Sequence, residues 1–158
     1  MAETGFEIKN LDRWRRKLSD PNLFGRPLRR ALSQSIEYAK GQTQERTRVD
    51  TGRARGSWET SVDRGRIPKW AKISSRLEYI LPLEFGSAPH FPPISALQPW
   101  ARRHGFGKGG AFLIARAISR RGTKGDHMLR DGMQATRPFF QARLNSAAKE
   151  IESVWKRR

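Results

Sequence analysis

The sequence predicts an α+β fold: a small antiparallel sheet packed with a long helix in the N-terminal half and a helix at the C-terminus. Three observations carry this. Apolar residues recur at spacings of three and four through Leu28, Leu32, Ile36 and Ala39, and again through Phe140, Leu144, Ala147, Ile151 and Val154, the period of a helix with one buried face. Between them the period changes to two, with Trp58, Thr60 and Val62 alternating with Ser57, Glu59 and Ser61, as in a strand with one solvated face. The order helix, strands, helices is that of an α+β domain rather than a βαβ repeat. The 158 residues suit a single domain spanning residues 1–158.

Each element has a local reason. Phe6 and Ile8 alternate with polar residues, which predicts a short opening strand, and Leu11, Trp14 and Leu18 predict a short helix capped by Asn10. The Ser19-Asp20-Pro21-Asn22 cluster breaks it. The long helix is expected from about Arg26-Pro27, with Pro27 in its first turn, to about Thr47. Val49-Asp50-Thr51-Gly52 turns the chain into the alternating strand. Asp63-Arg64-Gly65 makes a turn, Ile67 to Ser74 reads as the return strand, and Leu77 to Phe85 as a third extended segment that Pro82 confines to an edge. Pro89, Pro92 and Pro93 fix a loop before a short helix over Ile94 to His104 carrying Leu97 and Trp100. Gly105 to Gly110 is a flexible break. Phe112 to Ile118 reads as a buried helix, its inner face either Phe112, Ala115 and Ile118 or Leu113 and Ala117, ended by Gly122. A loose stretch around Gly125 and Gly132 leads to a last helix opened by Pro138.

Composition narrows the function. Lys+Arg is 32 against 15 Asp+Glu, a formal net charge of +17. The first 79 residues hold 18 bases and 10 acids, the remaining 79 hold 14 and 5, so the excess decorates the whole fold rather than an arm. It is densest where acids are missing. Between Glu84 and Asp126 no acid occurs, while Arg102, Arg103, Lys108, Arg116, Arg120, Arg121 and Lys124 do. Arg outnumbers Lys by 23 to 9, which favours bidentate contacts to phosphate or carboxylate. These seven cations are the candidate contacts to DNA or to an acidic protein. No apolar run approaches the ~20 residues of a membrane span, and the short, mixed Met1 to Lys9 segment leads us to expect no signal peptide.

The chemistry of catalysis is poorly represented. There is no cysteine, which excludes a disulfide scaffold, a thiolate zinc site and a cysteine nucleophile. His90, His104 and His127 stand far apart in sequence, with no helical metal-binding spacing among them. Asp50, Glu59, Asp63, Glu78 and Glu84 are the carboxylates from which a metal-dependent nuclease would have to be built, but the alternation puts Glu59 on the solvated face opposite Trp58. Gly105-Phe106-Gly107-Lys108-Gly109-Gly110 invites a phosphate-loop reading, yet lacks the Lys-Ser/Thr ending and the preceding buried strand. No enzyme activity, cofactor or metal is therefore expected. Among the tryptophans at 14, 58, 70, 100 and 155, Trp70, flanked by Lys69 and Lys72, resembles a platform for stacking bases.

Five words in register carry a family resemblance. They are Val49-Asp50-Thr51-Gly52-Arg53-Ala54-Arg55-Gly56-Ser57; Tyr79 followed by Leu83-Glu84-Phe85-Gly86-Ser87; Pro92-Pro93; Ala96-Leu97-Gln98-Pro99-Trp100; and Ile114 to Gly122 with Thr123-Lys124 after it. Over about residues 6–155 their order and spacing resemble the tail-completion or head–tail joining (neck) proteins of long-tailed bacteriophages. The chain departs from the pattern at Ala54, where a larger aliphatic residue is usual, and at Asp126-His127-Met128, which replaces a proline-rich approach to the last helix. The resemblance implies a virion structural protein, assembled in the host cytoplasm, whose protomers form a ring, expected to be a hexamer, between the portal-connector and the tail tube. It implies neighbours among connector or portal-adaptor proteins and tail-terminator or tail-tube proteins, an assembly role for Thr51, Gly52, Arg53, Arg55, Glu84, Phe85, Gly86, Pro93 and Trp100, and no catalysis. For the basic window an acidic protein neighbour is preferred to DNA in the channel, because an arginine-coated lumen would grip DNA and impede its exit. The expected lateral surface is a Pro-restricted edge strand near Leu81-Pro82-Leu83. The alternatives are a basic DNA-binding module and, behind it, a metal-dependent nuclease.

Overall fold

The computed structural model describes residues 20–157; the expected opening strand and the helix over Leu11 to Leu18 lie outside them. The architecture is the expected α+β arrangement: helix α1 (Pro21–Arg46), a one-turn helix α2 (Arg53–Gly56), strands β1 (Glu59–Val62) and β2 (Ala71–Ser74), α3 (Ile80–Phe85), β3 (Gly86–Ser87), α4 (Ile94–Arg103), α5 (Gly110–Arg121), β4 (Thr123–Lys124) and α6 (Met128–Arg157). β1 pairs with β2, and β3 with β4, in two separate two-stranded antiparallel sheets. The contacts divide the chain into two compact units, one made of residues 20–37, 61–72 and 138–157, the other of 38–60 and 73–137.

In the first unit α1 begins earlier than the periodicity indicated. The Asp20 carboxylate accepts the Asn22 N–H at 2.8 Å and the Asp20 carbonyl accepts the Leu23 N–H, so Asp20 acts as a cap with Pro21 in the first helical position. The cluster read as a break is thus also a start, and Pro27 lies inside the helix. The turn after β1 is organised by Asp63. Its carboxylate accepts the N–H groups of Gly65 and Lys69, both at 2.9 Å, and these bonds hold its pKa below the ordinary carboxylate value. Arg29 donates to the carbonyls of Asp63 and Gly65. With residues 63–70 held in this loop, the return strand starts at Ala71 rather than Ile67. The α6 stripe is as expected: Ala147 is buried, and Phe140, Leu144, Ile151 and Val154 are half-buried.

The second unit has a core of Trp58, Ile80 and Met128, with Ala54, Ile73, Leu77, Leu83 and Leu129 packed against it. Trp58 enters from the position just before β1, in phase with the period-two pattern of that strand. Its indole N–H donates to Thr47 Oγ1 at 3.1 Å, and that hydroxyl itself donates to the Thr43 carbonyl at 2.7 Å. A buried polar tip thereby finds a partner without leaving a hydroxyl unpaired.

Two expected elements are overturned here. Leu77 to Phe85 is not an extended edge segment: Ile80–Phe85 is helical. Pro82 falls in the first turn, where its missing N–H has no intrahelical acceptor, and Ile80 and Glu84, one turn apart, are both buried. The lateral edge strand at Leu81-Pro82-Leu83 is therefore absent. Nor is 125–137 a loose approach to a helix opened by Pro138. α6 starts at Met128 and carries Gly132 and Pro138 within it. A third correction concerns α5, whose inner face is Gly110, Ala111 and Ala115, while Phe112 and Leu113 are exposed.

The β3–β4 pair stitches this unit together. Gly86 lies opposite Lys124 and Ser87 opposite Thr123. Gly86 has φ +80°, and a Cβ there would stand 2.3 Å from the Thr123 carbonyl oxygen, so both its conformation and its surroundings demand glycine.

Candidate interaction surface

All seven cations of the acid-free window belong to the second unit and all are exposed. Arg102 and Arg103 end α4, Lys108 rides the glycine-rich loop, Arg116, Arg120 and Arg121 lie on α5, and Lys124 is on β4. Arg116 and Arg120, four apart, share one helical face. Arg103 differs from the rest. Its guanidinium makes a two-pronged ion pair with Asp50, Nε donating to Oδ1 at 2.9 Å and NH2 to Oδ2, and His104 Nε2 lies 3.3 Å from Oδ1. The Arg103 bond is the main cause holding the Asp50 carboxyl below its usual value, with His104 adding to it. Among the described residues the other six cations form no ion pair.

The residues to which the resemblance gives an assembly role divide between buried and displayed positions. Gly52, at φ +78°, turns the chain into α2, leaving Thr51 and Arg53 exposed. Arg55 and Gln44 exchange side-chain-to-carbonyl bonds at 2.8 and 3.1 Å, tying α2 to the end of α1. Glu84 is buried and accepts the backbone N–H groups of Leu129 at 2.8 Å and Arg130 at 3.0 Å, which makes it a long-range cap on α6. Its neighbour Phe85 is 71% exposed. Pro93 precedes the first turn of α4. Trp100 stacks on His104 at 4.2 Å and on Phe106 at 5.7 Å between ring centroids.

The structure thus joins words that are distant in sequence. Asp50 of the first word meets Arg103 and His104, just past the Trp100 word, and Gly86-Ser87 pairs with Thr123-Lys124. Two features escaped the sequence reading. One is a groove of about 580 Å³ between α4 and α5, lined among others by Ile94, Ala101, Arg102, Phe106, Lys108 and Phe112. The other is the display of Leu81, 65% exposed, beside Phe85 on α3. The small-residue pair Ala111 and Ala115, four apart, was the signal that α5 turns its phenylalanine outward.

Four of the five carboxylates considered for a nuclease are engaged elsewhere, Asp50 with Arg103, Glu59 with Arg76 at 3.4 Å, Asp63 in its own turn and Glu84 on α6, while Glu78 is exposed. Among the described residues no group of His, Asp and Glu is arranged to hold a metal ion, and no helix is long and apolar enough to cross a membrane. In the first unit Trp70 is 50% exposed, with Arg64, Arg66, Lys69 and Lys72 exposed near it in sequence. Comparison with protein-family models, with curated proteins and with solved structures returns no match.

Proposed function

We propose that this chain is a structural protein of a bacteriophage virion, forming a ring at the head–tail junction that joins the portal-connector to the tail tube or completes the tail. The observation that carries the reading is the convergence of the resembling words on one compact unit. Residues spent on internal ties there (Asp50 on Arg103, Glu84 on α6, Gly86 against Thr123) fix a frame, and what the frame displays is six unpaired cations together with large apolar side chains. Surfaces of mixed basic and apolar character suit contacts with protein neighbours. The proposed partners are further copies of the chain, connector or portal-adaptor proteins on one side, and tail-terminator or tail-tube proteins on the other. Negative-stain images and native mass measurement test this directly: closed rings that bind phage tails or connectors support it, and a stable monomer that binds neither overturns it.

A second reading, a basic DNA-binding module, is favoured by Trp70, a half-exposed ring with four exposed cations within six residues of it in sequence. Stacking on such a ring is worth about 1–3 kcal/mol per base. On this reading Trp70→Ala lowers affinity for single-stranded DNA at fixed salt by about tenfold or more; unchanged affinity removes it.

A further inference from the structure

We propose that the outer face of α3 seats in the α4–α5 groove of a second copy of the chain, making the lateral contact of the ring. The inference deepens the ring reading and rests on it. Leu81 and Phe85 stand four residues apart on α3 and therefore on one face; they are 65% and 71% exposed, while Ile80 and Glu84 occupy the buried side. A six-residue helix that turns two large apolar side chains to solvent has the form of a knob without a socket. A matching socket lies on the same unit. The groove between α4 and α5 has Ile94, Ala101, Phe106 and Phe112 in its walls and a volume of about 580 Å³. That is within the ~300–1,000 Å³ of pockets that enclose a drug-sized ligand, enough for a leucine and a phenylalanine together.

Charge selects a second copy as the occupant. A chain of net charge +17 repels itself unless an acid is placed at the contact. Among the described residues Glu78 is the carboxylate that neither an ion pair nor a hydrogen bond engages, and it is exposed two residues before α3. The groove carries Arg102 and Lys108, two cations without an acidic partner among the described residues. Glu78 on the donor face thus meets two bases on the acceptor face, and the apolar side chains meet apolar walls. Donor and acceptor are different surfaces of the protomer, so the contact is head-to-tail, the kind that closes into a ring when the rotation between copies allows.

Light scattering and native mass measurement on the purified full chain test the contact. Leu81→Ser with Phe85→Ser is expected to leave a folded monomer, since both side chains are already solvent-exposed. Glu78→Lys alone, and Arg102→Glu with Lys108→Glu, should each weaken self-association by about tenfold or more. All three charge changes in one chain should restore it. Rings that survive every variant overturn this contact and leave the ring reading standing. Loss that the combined charge exchange fails to restore overturns the Glu78 pairing, and a wild-type chain that remains monomeric overturns both the contact and the ring. If the groove variants abolish binding to a connector or tail protein while self-association is unchanged, the groove belongs to that neighbour and the proposal is wrong.

Discussion

The Glu84 carboxylate receives the backbone N–H of Leu129 at 2.8 Å and, through its second oxygen, that of Arg130 at 3.0 Å. These are two of the donors that the first turn of α6 leaves without intrahelical partners. A negative group there also faces the positive end of the helix dipole. The acid of the Leu83-Glu84-Phe85-Gly86-Ser87 word is thus a structural clamp between α3 and α6, separated from its partners by 45 and 46 residues of sequence.

Glu84→Ala strands both N–H groups in a partly buried place and removes the dipole partner, so it is expected to cost about 2–3 kcal/mol. Glu84→Gln keeps one good acceptor and should fall between the two. Thermal unfolding measures both, with a drop of about 4–12 °C expected for the alanine variant. Equal midpoints for wild type and alanine would show that α6 does not depend on this cap.

That clamp also marks where sequence reading stops. Trp58, the long helices and the Ile94 helix were legible because each writes its burial as a local period. Leu77 to Phe85 reads as an extended segment because its apolar run and Pro82 fit an edge strand as well as a first turn, and the partner that decides the matter lies at 129–130. Gly132 and Pro138 look like punctuation, yet both lie inside α6, and at Gly132 the close approach to Thr43 overrides propensity. Phe112 looked like core because it is large and apolar; the groove it lines is a relation between two helices, and no period within one of them announces it.

Gly132 and Gly41 separate packing from propensity. A Cβ on Gly132 would stand 2.5 Å from Thr43 Oγ1 and 2.9 Å from Thr43 backbone atoms, whereas one on Gly41 would meet nothing within 4 Å. Both lie in helices. Gly41→Ala should therefore stabilise by about 0.5–1 kcal/mol. Gly132→Ala gains the same propensity but must push α6 from the Thr43 backbone, and is expected to destabilise by about 1–3 kcal/mol. Denaturant midpoints that move in the same direction for both would contradict this packing.

Asp50 gives the acid limb of stability a named contributor. Its folded pKa is held below the ordinary 3.8, chiefly by the Arg103 hydrogen bond. A group whose pKa is depressed by folding stabilises above its unfolded value and loses that contribution as pH falls through its folded value. The contribution of the Asp50–Arg103 tie should be full above pH 4 and fade below it. Asp50→Asn is expected to be less stable than wild type at pH 6 and to converge on it towards pH 2. A constant difference between the two unfolding curves across that range would exclude the ion pair as the cause.

The basic window can be tested without breaking the fold if Arg103 is left alone. Reversing it would set a glutamate against Asp50, so a loss of function there reports on the internal tie as much as on a partner. Arg116, Arg120 and Arg121 are exposed, lie outside the proposed groove contact and make no ion pair among the described residues, and exposed substitutions of this kind usually change stability by no more than about 0.5 kcal/mol. Arg116→Glu, Arg120→Glu and Arg121→Glu together are therefore expected to unfold at the wild-type temperature and, on the proposed neck reading, to fail in joining heads to tails in an in vitro complementation assay. Binding lost steeply with rising salt for the wild type, and absent for the triple variant, would assign the window to an acidic surface. Normal joining by the triple variant would reduce these cations to solvated surface.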